Sequence, residues 1–119
     1  MNVAQIAGLL LLFPIWVITG VMVLRVLGKL VESLYTSDRG LWTDEGKPWV
    51  ALSWEPPEGR SASGNIASTF LAIKLAFSTP TWLSLIAGGS LLQKKLRIFL
   101  FLEFVAVVVI FSLILSLNS

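Results

Sequence analysis

The chain has 119 residues, of which 55% are hydrophobic and 13% charged, with nine Lys+Arg against seven Asp+Glu for a net charge of +2. A soluble domain carries about 25% charged residues, so this composition disfavours a water-soluble fold. Cysteine and histidine are both absent. That excludes disulfides, thiolate metal sites, cysteine nucleophiles and histidine acid–base or haem chemistry. The expectation is a membrane protein that is not an enzyme and needs no cofactor.

Residues 3–24 carry no charged side chain. About 20 apolar residues suffice to cross a bilayer as a helix. No Lys or Arg precedes this run, as a signal peptide would require, so a retained span is expected. Pro14 near its middle predicts a kink, because neighbouring groups can re-satisfy the freed carbonyl in a membrane. Beyond Leu24 the pattern turns amphipathic. Leu27, Leu30, Val31 and Leu34 alternate with Arg25, Lys29 and Glu32, which predicts helix to about residue 34 and a Lys29–Glu32 surface pair. Ala4 and Gly8 form a small-xxx-small pair, and Gly20 and Gly28 add smooth surface for close helix approach.

Residues 35–65 are polar and rich in Gly, Pro, Ser and Asp, the residues of turns. Trp42, Trp49 and Trp54 lie among them. So many tryptophans are unlike a flexible linker, and they are expected to dock on the headgroup layer, on a small cap or on another subunit. The run from Trp49 to Trp54 reads as a short strand stopped by Pro56-Pro57. About 30 residues are too few for an independent core. Asp38, Asp44, Glu45, Glu55 and Glu58 read as a solvated face, since the calcium-loop spacing is absent.

Residues 66–92 are apolar but interrupted by Lys74, Pro80 and Gly88-Gly89. A helix over 66–78 ended by Pro80 is predicted, followed by Trp82, a type enriched at headgroup level. The expectation is a helical hairpin at the interface or against a partner, not a third span. Lys74 reads as a snorkelling lysine, with contact to a lipid phosphate as the alternative.

Residues 98–117 form the second predicted span, interrupted only by Glu103. Lys94, Lys95 and Arg97 precede it as a topology anchor, with an anionic-lipid site as the sharper reading. No basic residue precedes the first span or follows the second, so the middle region is expected in the cytoplasm and both termini outside. Glu103 lies six residues after Arg97, about 9 Å deeper along a helix. An ionisable group there needs a partner, a cavity or a proton. Arg25 falls at similar depth in an antiparallel pair and is its expected partner within the chain. Pairing with a neighbouring subunit and a proton-carrying role are the alternatives. The spans otherwise offer few polar residues, Gln5, Thr19 and Ser112 among them, too few for the polar stripe of a pore.

The run from Leu41 to Pro48 (LWTDEGKP), Ser68-Thr69-Phe70-Leu71 opening a helix, and Leu96-Arg97 leading into the last span form a pattern over most of the chain. This layout resembles the universal stress protein B type of small two-span bacterial inner-membrane protein, although residues 66–92 are more apolar here. The resemblance implies a bacterial inner-membrane location and the two-span topology, and it carries no mechanism.

The predicted fold is thus an all-α membrane protein. Two transmembrane helices form a helical hairpin with a cytoplasmic Trp/Pro/Gly-rich loop and an interfacial helical segment. Its parts are 1–34, the first span with its amphipathic extension; 35–65, the loop; 66–93, the interfacial or re-entrant segment; and 94–119, the second span. The expected role is that of a non-catalytic accessory subunit of a larger integral membrane complex, docked through Trp42, Trp49, Trp54 and Trp82. Phospholipid is the other expected partner, with no nucleic acid and no soluble substrate. A stand-alone stress or regulatory protein and a small homo-oligomeric pore are the alternatives.

Overall fold

The computed structural model describes residues 2–116. Helix α1 (Val3–Ser37) opens with a reciprocal cap: the Asn2 side chain accepts from the Gln5 backbone N–H at 2.8 Å, and the Gln5 side chain accepts from the Asn2 N–H at 3.1 Å. At about 1.5 Å per residue its length accounts for the 54 Å long axis of the molecule. Pro14 lies inside α1 without ending it. The helix stops where Asp38 turns extended, with φ −153°, and Asp38 then caps helix α2 (Arg39–Asp44) by accepting from the Leu41 N–H at 3.1 Å.

After α2 the chain reverses through left-handed residues, Gly46 at φ 94° and Lys47 at φ 55°, and the Lys47 N–H closes on the Trp42 carbonyl at 3.0 Å. The strand expected from Trp49 to Trp54 does not form. Val50 and Trp54 instead exchange both backbone hydrogen bonds, at 2.8 and 3.0 Å, around a tight turn with Leu52 at φ 64°. Helix α3 (Ala62–Phe77) starts four residues earlier than expected, capped by Ser61, and ends ahead of Pro80. A short 3₁₀ helix (Thr81–Leu85) leads to α4 (Gly89–Ser116). Lys94, Lys95 and Arg97 therefore lie inside α4.

The core sits at one end only. The C-terminal part of α1 buries Val26, Leu27, Leu30, Val31, Leu34 and Tyr35, a stripe at helical spacing. Leu71 and Leu75 of α3, Leu83, Ile86 and Leu96 pack on it, and Trp42 and Val50 close it from the loop. The loop has no core of its own; it completes one on the extension of α1. At the other end α1 and α4 run side by side. The most apolar stretch of each is only 6% buried within the protein, and both are long and apolar enough to cross a membrane. The radius of gyration, 16.9 Å, exceeds the roughly 13–14 Å of a compact domain of this length, because this half carries no further layer.

Gly28 fixes how the cap sits on α1. A Cβ there would lie 1.8 Å from Ser53 Oγ and 2.6 Å from Ser53 Cβ, so the 50–54 turn rests directly on the helix backbone. Gly28→Ala is expected to destabilise the cap by about 1–3 kcal/mol through overpacking. Ser53→Gly, by removing the clashing atoms, is expected to recover most of the loss. Thermal unfolding followed by tryptophan fluorescence checks this, and additive effects of the two substitutions would contradict the contact.

Candidate functional site

Four polar side chains of the two long helices face one another across the pair. Gln5 Nε2 donates to Ser116 Oγ at 3.1 Å. A Cβ on Gly8 would stand 3.5 Å from Leu113 Cδ1, and the Thr19 hydroxyl donates to a Glu103 carboxylate oxygen. The same hydroxyl lies 3.0 Å from the Ile15 and Trp16 carbonyls, one turn back in its own helix. Gly20 leaves room for the acid, since a Cβ there would sit 3.4 Å from Glu103 Oε1. Thr19 is buried and Glu103 half-buried. The antiparallel register thus sets residue 5 against 116, 8 against 113 and 19–20 against 103.

This register overturns the expected Arg25–Glu103 ion pair. Arg25 lies six residues beyond Thr19, about 9 Å further along α1, and it makes no ion pair among the described residues. The Lys29–Glu32 surface pair is likewise absent among them. Sequence reasoning named Thr19 only as an isolated polar residue. Its signal was that two sparse polar sets on antiparallel helices can be aligned.

The tryptophans are mostly turned inward. Trp42 is buried and donates from Nε1 to the Pro48 carbonyl at 3.0 Å. It meets Tyr35 edge-on at 4.7 Å, and Trp54 completes the cluster at 5.1 Å from Tyr35. Trp49 is half-buried, with its indole N–H on the Ser61 carbonyl and the Arg60 guanidinium 5.7 Å from its ring. Trp82 is buried, and its indole nitrogen has no hydrogen-bond partner among the described residues. Trp42 and Trp82 are therefore core residues of this chain, not free docking anchors. Of the three surfaces considered for the loop tryptophans, the small cap is the one formed.

The basic residues divide in the same way. Lys74 does not stand free: its ammonium pairs with Glu45 at 3.0 Å. Arg97 donates to the Leu75 carbonyl at 3.0 Å and to the Ser78 carbonyl at 3.3 Å. Gln93, one turn earlier on α4, donates to the same two carbonyls at 3.1 and 2.8 Å. The end of α3 leaves carbonyls without helical partners, and a cation is favoured there. Arg97 is thus held by the α3 terminus, and the missed signal was its i−4 spacing to Gln93 on one helix face. Lys94 and Lys95 are exposed.

The loop carboxylates are not simply a solvated face. Glu55 pairs with Arg60 at 2.8 Å and Glu58 with Arg39 at 3.0 Å. Glu58 also accepts from the Tyr35 hydroxyl at 2.6 Å, while Arg39 stacks 3.8 Å from the Tyr35 ring centre. The Tyr35 hydrogen bond, aided by Arg39, holds the Glu58 carboxyl below its ordinary value. The same bond, with desolvation, holds the Tyr35 phenol above its own. Among the described residues no three carboxylates gather closely enough to hold a metal ion. Comparison with protein-family models, curated proteins and solved structures finds no match to this chain.

Two outcomes follow from these contacts. Thr19→Val keeps the side-chain shape and removes the donor to Glu103. It is expected to lower hairpin stability by about 1 kcal/mol, the scale of interhelical hydrogen bonds in apolar surroundings, read by thermal unfolding in detergent; an unchanged Tm would contradict the contact. Near-UV circular dichroism of the aromatic cap reads the second. A lowered Glu58 value gives stability that is lost as pH falls from 4.5 through the folded-state value. A raised Tyr35 value gives stability that is lost as pH rises from 10.0 through its folded-state value. Tyr35→Phe is expected to flatten both limbs, and limbs unchanged by it would contradict the assignment.

Proposed function

We propose that the chain is a two-span hairpin of a bacterial inner membrane, with the cap in the cytoplasm and both ends outside. In this reading it serves as a non-catalytic accessory subunit of a larger integral membrane complex of respiratory, photosynthetic, transport or secretion type. The observation that carries the reading is the contrast between the two faces of each long helix. The facing sides satisfy one another through Gln5–Ser116 and Thr19–Glu103. The outer sides leave Val17, Ile18, Phe101 and Phe104 exposed. Apolar surface on this scale is the mark of a membrane or protein contact.

The orientation rests on charge: Arg25, Lys29, Lys94, Lys95 and Arg97 gather where the helices meet the cap, and the far ends carry no basic residue. With Trp42 and Trp82 committed to the core, contact with a larger subunit falls to the spans. A cleft of about 480 Å³ opens between them, lined by Leu9, Phe13, Trp16, Val107, Phe111 and Ile114, and suits a side-chain ridge of another helix.

One observation favours a second reading. The cap closes its core on the extension of α1 and pairs most of its charges, so the chain is equipped to stand alone as a membrane stress or regulatory protein. Purification in mild detergent through a C-terminal tag, with mass spectrometry of what accompanies the chain, separates the two. A stoichiometric set of larger membrane subunits is the expected result. Recovery of the chain alone, or as its own oligomer, would overturn the accessory role in favour of the second reading.

A further inference from the structure

Where α1 leaves its apolar run, a groove of about 630 Å³ lies between α1, the start of α4 and the 50–54 turn. Arg25 and Lys29 of α1 and Lys95 of α4 line it. All three are exposed, and none makes an ion pair among the described residues. The sole carboxylate on its wall is Glu32, seven residues beyond Arg25 and three beyond Lys29 on the cap side, and it pairs with neither among the described residues. The opposite end of the groove is apolar. Met22 lies one turn before Arg25, and Phe99 lies one turn after Lys95. The cations therefore stand at the level where the apolar run ends, with a hydrophobic floor leading away from them along the helices.

The turn that closes the groove is held in an unfavourable conformation. Leu52 has φ 64° and is 91% exposed. A branched side chain in left-handed backbone is disfavoured, and such strain concentrates at ligand-binding positions. Gly28 admits the turn to this place, with Ser53 against the α1 backbone. The strained turn thus puts an apolar side chain beside the cations, on the wall of the same groove.

We infer that this groove binds the phosphate of an anionic glycerophospholipid. Arg25, Lys29 and Lys95 surround the phosphate, and an acyl chain lies along Met22 and Phe99 with Leu52 at its side. A soluble acidic ligand would use the cations and leave the apolar floor uncovered, whereas a lipid satisfies both. The inference rests on the proposed membrane embedding and is independent of whether the chain is an accessory subunit. Of the expected anchor residues the groove keeps Lys95 alone: Lys74 and Arg97 are engaged by Glu45 and by the end of α3, and Lys94 lies outside the groove.

The test is native mass spectrometry of the chain released from nanodiscs of phosphatidylcholine with an equal part of phosphatidylglycerol. The expected result is preferential retention of phosphatidylglycerol by the native chain. Each cation near a membrane surface contributes about fivefold in affinity, so Arg25→Gln, Lys29→Gln and Lys95→Gln together are expected to weaken retention by about 100-fold. Lys47→Gln, an exposed cation of the loop outside the groove, is expected to leave it unchanged. Lys95→Gln alone, on the surface of α4, is expected to weaken retention about fivefold and serves if the triple variant does not fold. Equal retention of the two lipids, retention unaffected by the groove substitutions, or displacement of the lipid by millimolar inorganic phosphate would overturn the inference. Nanodisc insertion without selective retention would overturn the groove alone. Failure to enter nanodiscs would overturn the membrane reading and the groove with it.

Discussion

A carboxylate inside a helix as apolar as α4 constrains where that helix can sit. In a membrane a charged side chain at the bilayer centre costs about 2.5–3.5 kcal/mol on insertion scales. Glu103 avoids standing alone because Thr19 offers a hydroxyl and Gly20 offers space. That contact sets the α1–α4 register, and the register brings Gln5 to Ser116 and Gly8 to Leu113. It also carries Arg25 past the acid to the level where α4 begins its charged turns. The arginine expected to neutralise Glu103 is thereby released to the surface, where it joins Lys29 and Lys95 along one groove.

The cap depends on the same helix. Residues 35–65 are too short to fold around themselves, and they hold together because α1 continues well beyond its apolar run and supplies Leu30, Val31, Leu34 and Tyr35 as a wall. Trp42 and Trp54 close on Tyr35, whose hydroxyl reaches Glu58, while Gln93 and Arg97 of α4 seal the end of α3. The apolar half and the cap are therefore one unit: α1 and α4 run through both, and each helix uses a different stretch for each.

What could be read from the sequence was what depends on neighbours along the chain. The two long apolar helices, the amphipathic extension of α1 and the end of α3 before Pro80 follow from composition, period and proline stereochemistry. The bend of 50–54 was missed because a short apolar run bounded by turn residues suits a strand equally well, and only the close approach of Ser53 to Gly28 decides for a turn. The partners of Glu103, Lys74 and Arg97 were missed for a related reason. Depth along a helix could be estimated, but the axial offset between α1 and α4 is set by Thr19 and Gly20, which carry no charge. The tryptophans were expected to pack, yet nothing local indicated that the surface they pack on would be Tyr35 and the α1 stripe.

The absence of cysteine makes the α1–α4 register directly measurable. Gly8→Cys with Leu113→Cys, oxidised in membranes, is expected to give a disulfide within one chain, because these positions face each other across the helix pair. Gly8→Cys with Ala106→Cys, seven residues and about 10 Å out of register, is expected to give none. A disulfide in the second pair and none in the first would contradict the register on which the seam, the cap and the basic groove all depend.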